Sequence, residues 1–235
     1  LDEITVTGEP LRAQLEGRAV LDPQVILAPD HPVSPRPALA VLRGNLAPEG
    51  AVIKPSAASP ELMRHRGRAI VFDSPPEMNA ALSDPAFDCD ETCVIVLRNA
   101  GPVGGPGMPE WGNLPIPRKL LQRGVRDLVR ISDARMSGTH YGTCVLHVSP
   151  ESAVGGPLAL VRNGDTIELD VEARALNLLV DDAELARRRA AWSAPAQPYA
   201  RGYTRLYQQH VTQAHEGCDF DFLAGTAPSP EPAIY

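Results

Sequence analysis

The chain has 235 residues, of which 43% are hydrophobic and 5% aromatic, with a formal net charge of −7 and a pI near 5.4. This length can bury a substantial core, and the scarcity of aromatic residues predicts a core of Val, Leu, Ile and Ala. The acidic balance gives no electrostatic reason to expect nucleic acid or an anionic membrane surface as a partner. No apolar run approaches the roughly 20 residues that a membrane span needs.

We expect no signal peptide, because residues 1–8 contain neither a basic segment nor an apolar one. They also lack an initiator Met, so we expect the chain to begin inside a longer protein. The four cysteines are Cys89, Cys93, Cys144 and Cys218, and their spacing matches neither a zinc site nor a disulfide scaffold. We interpret them as free thiols in a reducing cytoplasm, with a metal pair at Cys89 and Cys93 as the alternative.

In chain order, apolar–polar alternation predicts a strand at Ile4–Thr7, and the Pro-rich segment 22–37 predicts a loop. Short apolar runs bounded by Gly, Pro or charged residues predict strands at 39–42, 51–53, 69–72, 93–97, 128–131, 144–148, 166–171 and 176–180. Helices are predicted at 74–83 (with Ser74 as N-cap), 116–122, 182–192 and 203–214. Many short strands with a few helices predict an α+β fold centred on a barrel or curled mixed sheet.

The first segment that suggests chemistry follows the strand predicted at 93–97. Residues 99–110 contain four glycines and three prolines, which excludes a helix or a paired strand. Residues 101–110, the glycine-rich loop, end at Glu110. Glycine lets a backbone approach a ligand closely, and a carboxylate placed after a buried strand suits a hard cation such as Mg²⁺. The alternative is a surface loop that ends in a solvated Glu.

The second such segment is the serine loop, residues 132–143, which contains two serines, two threonines and two glycines. A hydroxyl before a glycine at a strand exit could be a nucleophile, a base or a phosphate-binding group. The alternative is a polar turn in which Ser132 and Asp133 cap backbone groups. The segment is not GxSxG, and neither GxxxxGK[ST] nor a strand-to-helix GxGxxG occurs, so hydrolase and nucleotide-loop interpretations have no support.

Together these segments make the chain resemble the dihydroxy-acid and phosphogluconate dehydratase family. The motifs are GGPGMPE at 104–110, ISDARMSGT at 131–139, LHVSPESAVGGPLALV at 146–161, NGDTI at 163–167 and GCDFDFL at 217–223. Within that family the chain is most similar to the sugar-acid dehydratases, such as arabinonate or xylonate dehydratase. Ala134 and the closing CDFDFL resemble that branch, whereas the branched-chain enzymes usually carry GRFSG in the serine loop.

The resemblance implies a fold and partners. Family members have a larger N-terminal domain that holds an iron–sulfur cluster and most Mg²⁺ ligands, and a C-terminal swivelling β/β/α barrel. This chain resembles the latter alone, with a domain over 1–223 and an extended tail over 224–235. The implied cofactors are Mg²⁺ and a cluster of the 2Fe-2S rather than the 4Fe-4S type, with its cysteine ligands in the N-terminal domain. The implied protein is a cytoplasmic homodimer or homotetramer whose partners are a small sugar acid and its own N-terminal domain.

The resemblance also assigns roles to three residues. Glu110 matches the carboxylate that this domain lends to Mg²⁺, Ser137 matches the proposed base and substrate contact, and Thr139 is a further substrate contact. In the implied reaction the C2 proton is removed, the C3 hydroxyl leaves with help from a cluster iron, and the enol becomes a 2-keto-3-deoxy acid. A serine can be such a base only where metal charge favours its alkoxide. We therefore predict that the isolated chain is catalytically inactive.

Other polar residues are interpreted structurally. His147 is predicted to be a packed or hydrogen-bonded core histidine rather than a ligand. Asp133 and Arg135 are predicted to form a local ion pair that shapes the serine loop, with substrate contact as the alternative. Residues 219–221 are predicted to be a docked edge segment rather than a metal site. Many relatives end in an Ile-His pair, whereas the last two residues here are Ile234-Tyr235, so we assign that histidine's role to no residue of this sequence.

Two other functions remain open from the sequence. One is the C-terminal domain of a branched-chain dihydroxy-acid dehydratase, and the other is a non-catalytic module that mediates assembly.

Overall fold

The computed structural model describes residues 1–35, 37–110, 112–137 and 141–223. The chain divides into two compact units, Leu1–Arg36 and Pro37–Tyr235. The single domain expected over 1–223 stays a prediction, and the tail expected at 224–235 lies outside the described residues.

The smaller unit contains the short helix α1 (Leu11–Leu15) and an isolated bridge between Ile4 and Pro10. The strand predicted at Ile4–Thr7 is wrong, because the chain turns back at Gly8, whose N–H donates to the Thr5 carbonyl at 2.9 Å. The loop predicted at 22–37 is confirmed over its described residues, which form neither helix nor strand.

The larger unit is built on a closed barrel of eight strands, which confirms the α+β prediction. The strands are β1 (Ala40–Gly44), β2 (Ala47–Ile53), β3 (Arg64–Phe72), β4 (Val94–Leu97), β5 (Val129–Ser132), β6 (Cys144–Ser149), β7 (Thr166–Asp170) and β8 (Ala175–Leu178). Around the barrel their order is β1-β2-β6-β5-β4-β3-β7-β8. The run β3-β4-β5-β6 is parallel, while β1-β2, β2-β6, β3-β7 and β7-β8 are antiparallel.

Two apolar clusters hold this unit together, one on each face of the sheet. Val94 and Val96 of β4 belong to the cluster to which all eight strands contribute, which therefore fills the barrel. Ile95 and Leu97 point the other way and pack with residues of α2 and α3 outside it. The continuous apolar run predicted at 93–97 is thus a strand buried on both faces, as such runs usually are.

The helices are α2 (Pro75–Ser83), α3 (Arg118–Gln122), α4 (Asp182–Ala191) and α5 (Tyr203–His210). The N-cap prediction for α2 is confirmed, since the Ser74 hydroxyl accepts a hydrogen bond from the Glu77 N–H at 3.4 Å. The helix predicted over 203–214 is too long, because Val211 leaves it to pair with Phe220. That same bridge confirms 219–221 as a docked segment. Among the described residues, no helix combines the length and the apolar character needed to cross a membrane.

Candidate active site

Both predicted functional loops leave the barrel at the same edge. Leu97 at the end of β4 pairs with Ser132 at the end of β5, and the two strands are parallel. The glycine-rich loop and the serine loop therefore emerge side by side. The carboxyl edge of parallel strands is where open α/β sheets place their ligands.

Glu110 and Ser137 line one cavity of about 700 Å³ at this edge. Its wall also includes Asn113, Arg130 and Tyr141. The structure thus brings together two of the three site residues that the sequence predicted. Thr139, the third, lies outside the described residues.

Glu110 meets a cation from the neighbouring loop. Arg135 approaches it at 3.5 Å and donates from Nε to the Met108 carbonyl at 2.7 Å, so it contacts the glycine-rich loop twice. The Glu110 side chain is 47% exposed. The predicted ion pair between Asp133 and Arg135 is wrong, because Arg135 turns outward to Glu110 while Asp133 turns into the protein.

Asp133 is fully buried and ties three segments together. Its carboxylate accepts hydrogen bonds from the Ala100 N–H at 2.9 Å, the Ser152 N–H at 2.9 Å and the Ser152 hydroxyl at 2.5 Å. Burial raises the pKa of the Asp133 carboxyl, although the bonds from Ser152 and Ala100 oppose this shift. Ser132 in turn accepts from the Ala134 N–H at 3.0 Å. The polar-turn interpretation therefore holds for Ser132 and Asp133, which place the loop that carries Ser137.

Glu151 anchors the glycine-rich loop, and sequence reasoning missed it. Its carboxylate accepts from the Val103 N–H at 2.8 Å, the Gly104 N–H at 2.9 Å and the Gln213 amide at 2.8 Å. Burial is the main cause of the raised pKa of this carboxyl. A Cβ at Gly101 would lie 2.7 Å from the Glu151 Cβ, so that position needs glycine for close packing. The available signal was a lone acid in the mostly apolar run 146–161.

A buried ion pair closes the far end of the serine loop. Asp127 lies 3.1 Å from Arg130, and its carboxylate accepts from the Thr143 N–H at 2.8 Å and the Thr143 hydroxyl at 2.7 Å. Arg130 donates to the Leu114 carbonyl at 2.7 Å and the Tyr141 carbonyl at 3.1 Å. Because Arg130 also lines the cavity, this ion pair stabilises the cavity wall.

Comparison with known proteins shows which family the chain belongs to. Residues 24–218 match the family model described as dihydroxy-acid/6-phosphogluconate dehydratase, C-terminal. The chain belongs to this family.

Three relatives define its position among dehydratases. The chain is 57% identical over 232 residues to the 6-deoxy-6-sulfo-D-gluconate dehydratase of Pseudomonas putida, covering 97% of this chain and 40% of that protein. It is 53% identical over 238 residues to the L-arabonate dehydratase of Azospirillum brasilense, covering 99% and 41%. It is 41% identical over 218 residues to the dihydroxy-acid dehydratase of Acetivibrio thermocellus, covering 92% and 39%. The chain thus spans about two fifths of the length of these relatives.

The family resemblance implies Mg²⁺, and Glu110 suits a shared site. Its carboxylate is half exposed on the cavity wall, and Mg²⁺ is commonly held by one or two carboxylates together with water or substrate oxygens. The described residues contain no group of three His, Cys, Asp or Glu side chains that could hold a metal. Among the described residues that line this cavity, Glu110 is the carboxylate that could contribute to such a site.

The cysteines, by contrast, do not fit an iron–sulfur cluster. Cys89, Cys93 and Cys144 are buried and Cys218 is partly buried. Burial raises the pKa of the Cys89 and Cys144 thiols to about 12. A cluster ligand must be a thiolate, so Cys89 and Cys144 favour the interpretation as packed, protonated thiols.

Proposed function

We propose that this chain is the C-terminal domain of a hydro-lyase that dehydrates a 2,3-dihydroxy sugar acid to a 2-keto-3-deoxy acid. The observation that carries the proposal is that Glu110 and Ser137 share one cavity at the carboxyl edge of β4 and β5. The higher identity to sugar-acid dehydratases than to the dihydroxy-acid dehydratase favours a sugar acid as substrate.

In this reaction Ser137 acts as the base. Its Oγ, as the alkoxide, takes the proton from C2 of the substrate, and the electron pair left at C2 forms the C2–C3 double bond as the C3 hydroxyl leaves. The departing hydroxide takes up the proton that Ser137 removed, which releases one water and regenerates the alkoxide. The enol then tautomerises to the 2-keto acid. Mg²⁺, when bound, would supply the positive charge that favours the alkoxide and stabilises the charge that develops on the substrate.

Glu110 would hold that cation at the cavity wall. In the structure Arg135 lies 3.5 Å from one of the Glu110 carboxylate oxygens and partly compensates the charge of that carboxylate. We propose Thr139 as a further substrate contact, on the strength of the family motif alone.

Further parts of the proposal rest on the family and not on contacts in this chain. We propose that a longer protein contains an N-terminal domain with the remaining Mg²⁺ ligands and an iron–sulfur cluster, expected to be 2Fe-2S. We also propose that this protein works in the cytoplasm as a homodimer or homotetramer.

The test is turnover by the full-length protein, followed as 2-keto acid formation from arabinonate, 6-deoxy-6-sulfogluconate and dihydroxyisovalerate. Ser137→Ala is expected to lower kcat by about 10²- to 10⁴-fold, the usual contribution of a general base. Glu110→Gln is expected to raise the Mg²⁺ concentration needed for half-maximal rate. Ser193→Ala, at an exposed serine, is the matched control.

Near-normal turnover by Ser137→Ala would remove the proposed base. Turnover of dihydroxyisovalerate alone would replace the sugar acid with a branched-chain substrate, and no turnover of any acid would favour an assembly module.

A further inference from the structure

Strand β6 contains a bulge at the level of the candidate site. Along β2, Gly50 and Val52 are two residues apart, whereas their partners on β6, Ser149 and Leu146, are three apart. His147 takes up the extra residue with a φ of 54°. Bulges re-aim side chains and are common beside active sites, and a left-handed histidine is an uncommon conformation that the surrounding structure must hold.

The bulge directs two hydrogen bonds from His147 to the serine loop. Its backbone N–H donates to the Ala134 carbonyl at 2.9 Å, and its Nε2 accepts from the Met136 N–H at 2.8 Å. A backbone N–H can only donate, so Nε2 carries no proton, and the neutral ring has its proton on Nδ1. His147 therefore binds the serine loop at Met136, the residue before Ser137. The predicted hydrogen-bonded histidine is confirmed, but its partner is this loop.

The surroundings favour the neutral ring. Burial lowers the pKa of His147, and Arg135 lowers it further. Among the described residues, Arg135 is the charged group that acts on the imidazole, and its own charge is paired with Glu110. Both effects preserve the acceptor at Nε2, because a protonated ring would present an N–H to the Met136 N–H.

We propose that His147 is a positioning residue that sets the place of the Ser137 hydroxyl in the cavity through the Met136 N–H. The inference rests on the dehydratase function proposed above. Deprotonation at C2 needs the base within hydrogen-bond reach of the proton, and a misplacement of about 1 Å can lower a rate by about 10²-fold. His147 acts through the loop and touches no reacting atom.

The test compares His147→Ala with His147→Gln in the full-length protein. Both variants place an ordinary side chain at the same positive φ, so backbone strain is matched, but only Gln offers an acceptor that mimics Nε2. We expect His147→Ala to lower kcat by about 10²-fold with little change in KM, and His147→Gln to recover most of that loss. The wild-type rate should fall on the acid side as the ring protonates, and this limb should be absent in His147→Gln.

Hydrogen exchange of the Met136 amide provides a readout independent of activity. The Met136 amide should be protected from exchange in the wild type and in His147→Gln, and should exchange faster in His147→Ala. Any of three results would overturn the inference. These are a wild-type kcat in His147→Ala, an equal loss of kcat in His147→Ala and His147→Gln, or equal protection of the Met136 amide in the wild type and both variants. Failure of the proposed function is distinguishable, because it would appear as no turnover by the wild type or full turnover by Ser137→Ala.

Discussion

Glu151 illustrates how much of the site depends on carboxylates that would never touch substrate. It is buried, and its oxygens accept hydrogen bonds from two successive backbone N–H groups of the glycine-rich loop. Asp133 does the same for Ala100, where that loop begins. Buried backbone N–H groups must find acceptors, so these two residues decide the path of the segment that ends at Glu110.

Glu151→Gln tests this role at the level of one residue. The amide has a single oxygen, so one of the two loop N–H groups faces an NH₂ group and loses its acceptor. We expect the free energy of unfolding to fall by about 1–3 kcal/mol, the usual penalty for a buried unsatisfied donor. Urea denaturation measures it, with the exposed Glu49→Gln as the control. Equal stability of the two variants would show that Glu151 does not hold the loop.

The sequence identified Glu110 and Ser137 through their motifs, yet it could not assign partners to Glu151 or His147. Both lie close together in the apolar run 146–161, where their local pattern indicates only burial. Their partners are 48 and 11 residues away in the chain. Such pairings depend on which loops the barrel brings together, and no local spacing encodes that.

At the scale of elements, the serine loop connects β5 to β6, and a buried carboxylate holds each of its ends. Asp133 fixes its beginning, and Asp127 fixes its end through Thr143. Burial of Asp127 raises the pKa of its carboxyl, but hydrogen bonds from Thr143, Ser59 and Leu128 outweigh this and hold the pKa below its ordinary value of 3.8.

Asp127→Asn is expected to destabilise the protein by about 3–5 kcal/mol, because it leaves the buried Arg130 guanidinium without its counter-charge. The pKa is depressed in the folded state, so the ionic contribution should be fully present above pH 3.8 and lost as pH falls through the folded pKa. Chemical denaturation of both proteins between neutral pH and pH 3 measures the difference. The exposed Asp182→Asn serves as the control, and a pH-independent difference would contradict the prediction.

The length of β3 also depends on its pairing with a neighbouring strand. The sequence predicted only 69–72 of β3, because the preceding residues carry Arg64, Arg66 and Arg68. In the fold this half of the strand pairs with β7, where Arg64 meets Asp170 at 2.9 Å and Arg66 meets Glu168. Oppositely charged side chains can pair across two strands where the strand is half exposed. The charged residues therefore did not mark where β3 begins.

At the scale of the whole molecule, we predict that the isolated 235-residue chain folds but does not dehydrate sugar acids. All eight strands contribute to its barrel core, whereas the proposed Mg²⁺ would receive one carboxylate from Glu110 and would need further ligands. A cooperative thermal transition together with no 2-keto acid formation is the expected result, with the full-length protein assayed in parallel. Turnover by the isolated chain that Ser137→Ala abolishes would contradict it.

The sequence by itself determined the class of fold, most strand positions and the two loops that carry Glu110 and Ser137, because apolar periodicity and glycine-rich motifs are local properties. Only the tertiary structure decided that Arg135 faces Glu110, that Glu151 holds the glycine-rich loop and that His147 reaches Met136. The physical reason is that strand pairing places β4, β5 and β6 side by side, so that loops far apart in the chain meet at one edge and can exchange hydrogen bonds.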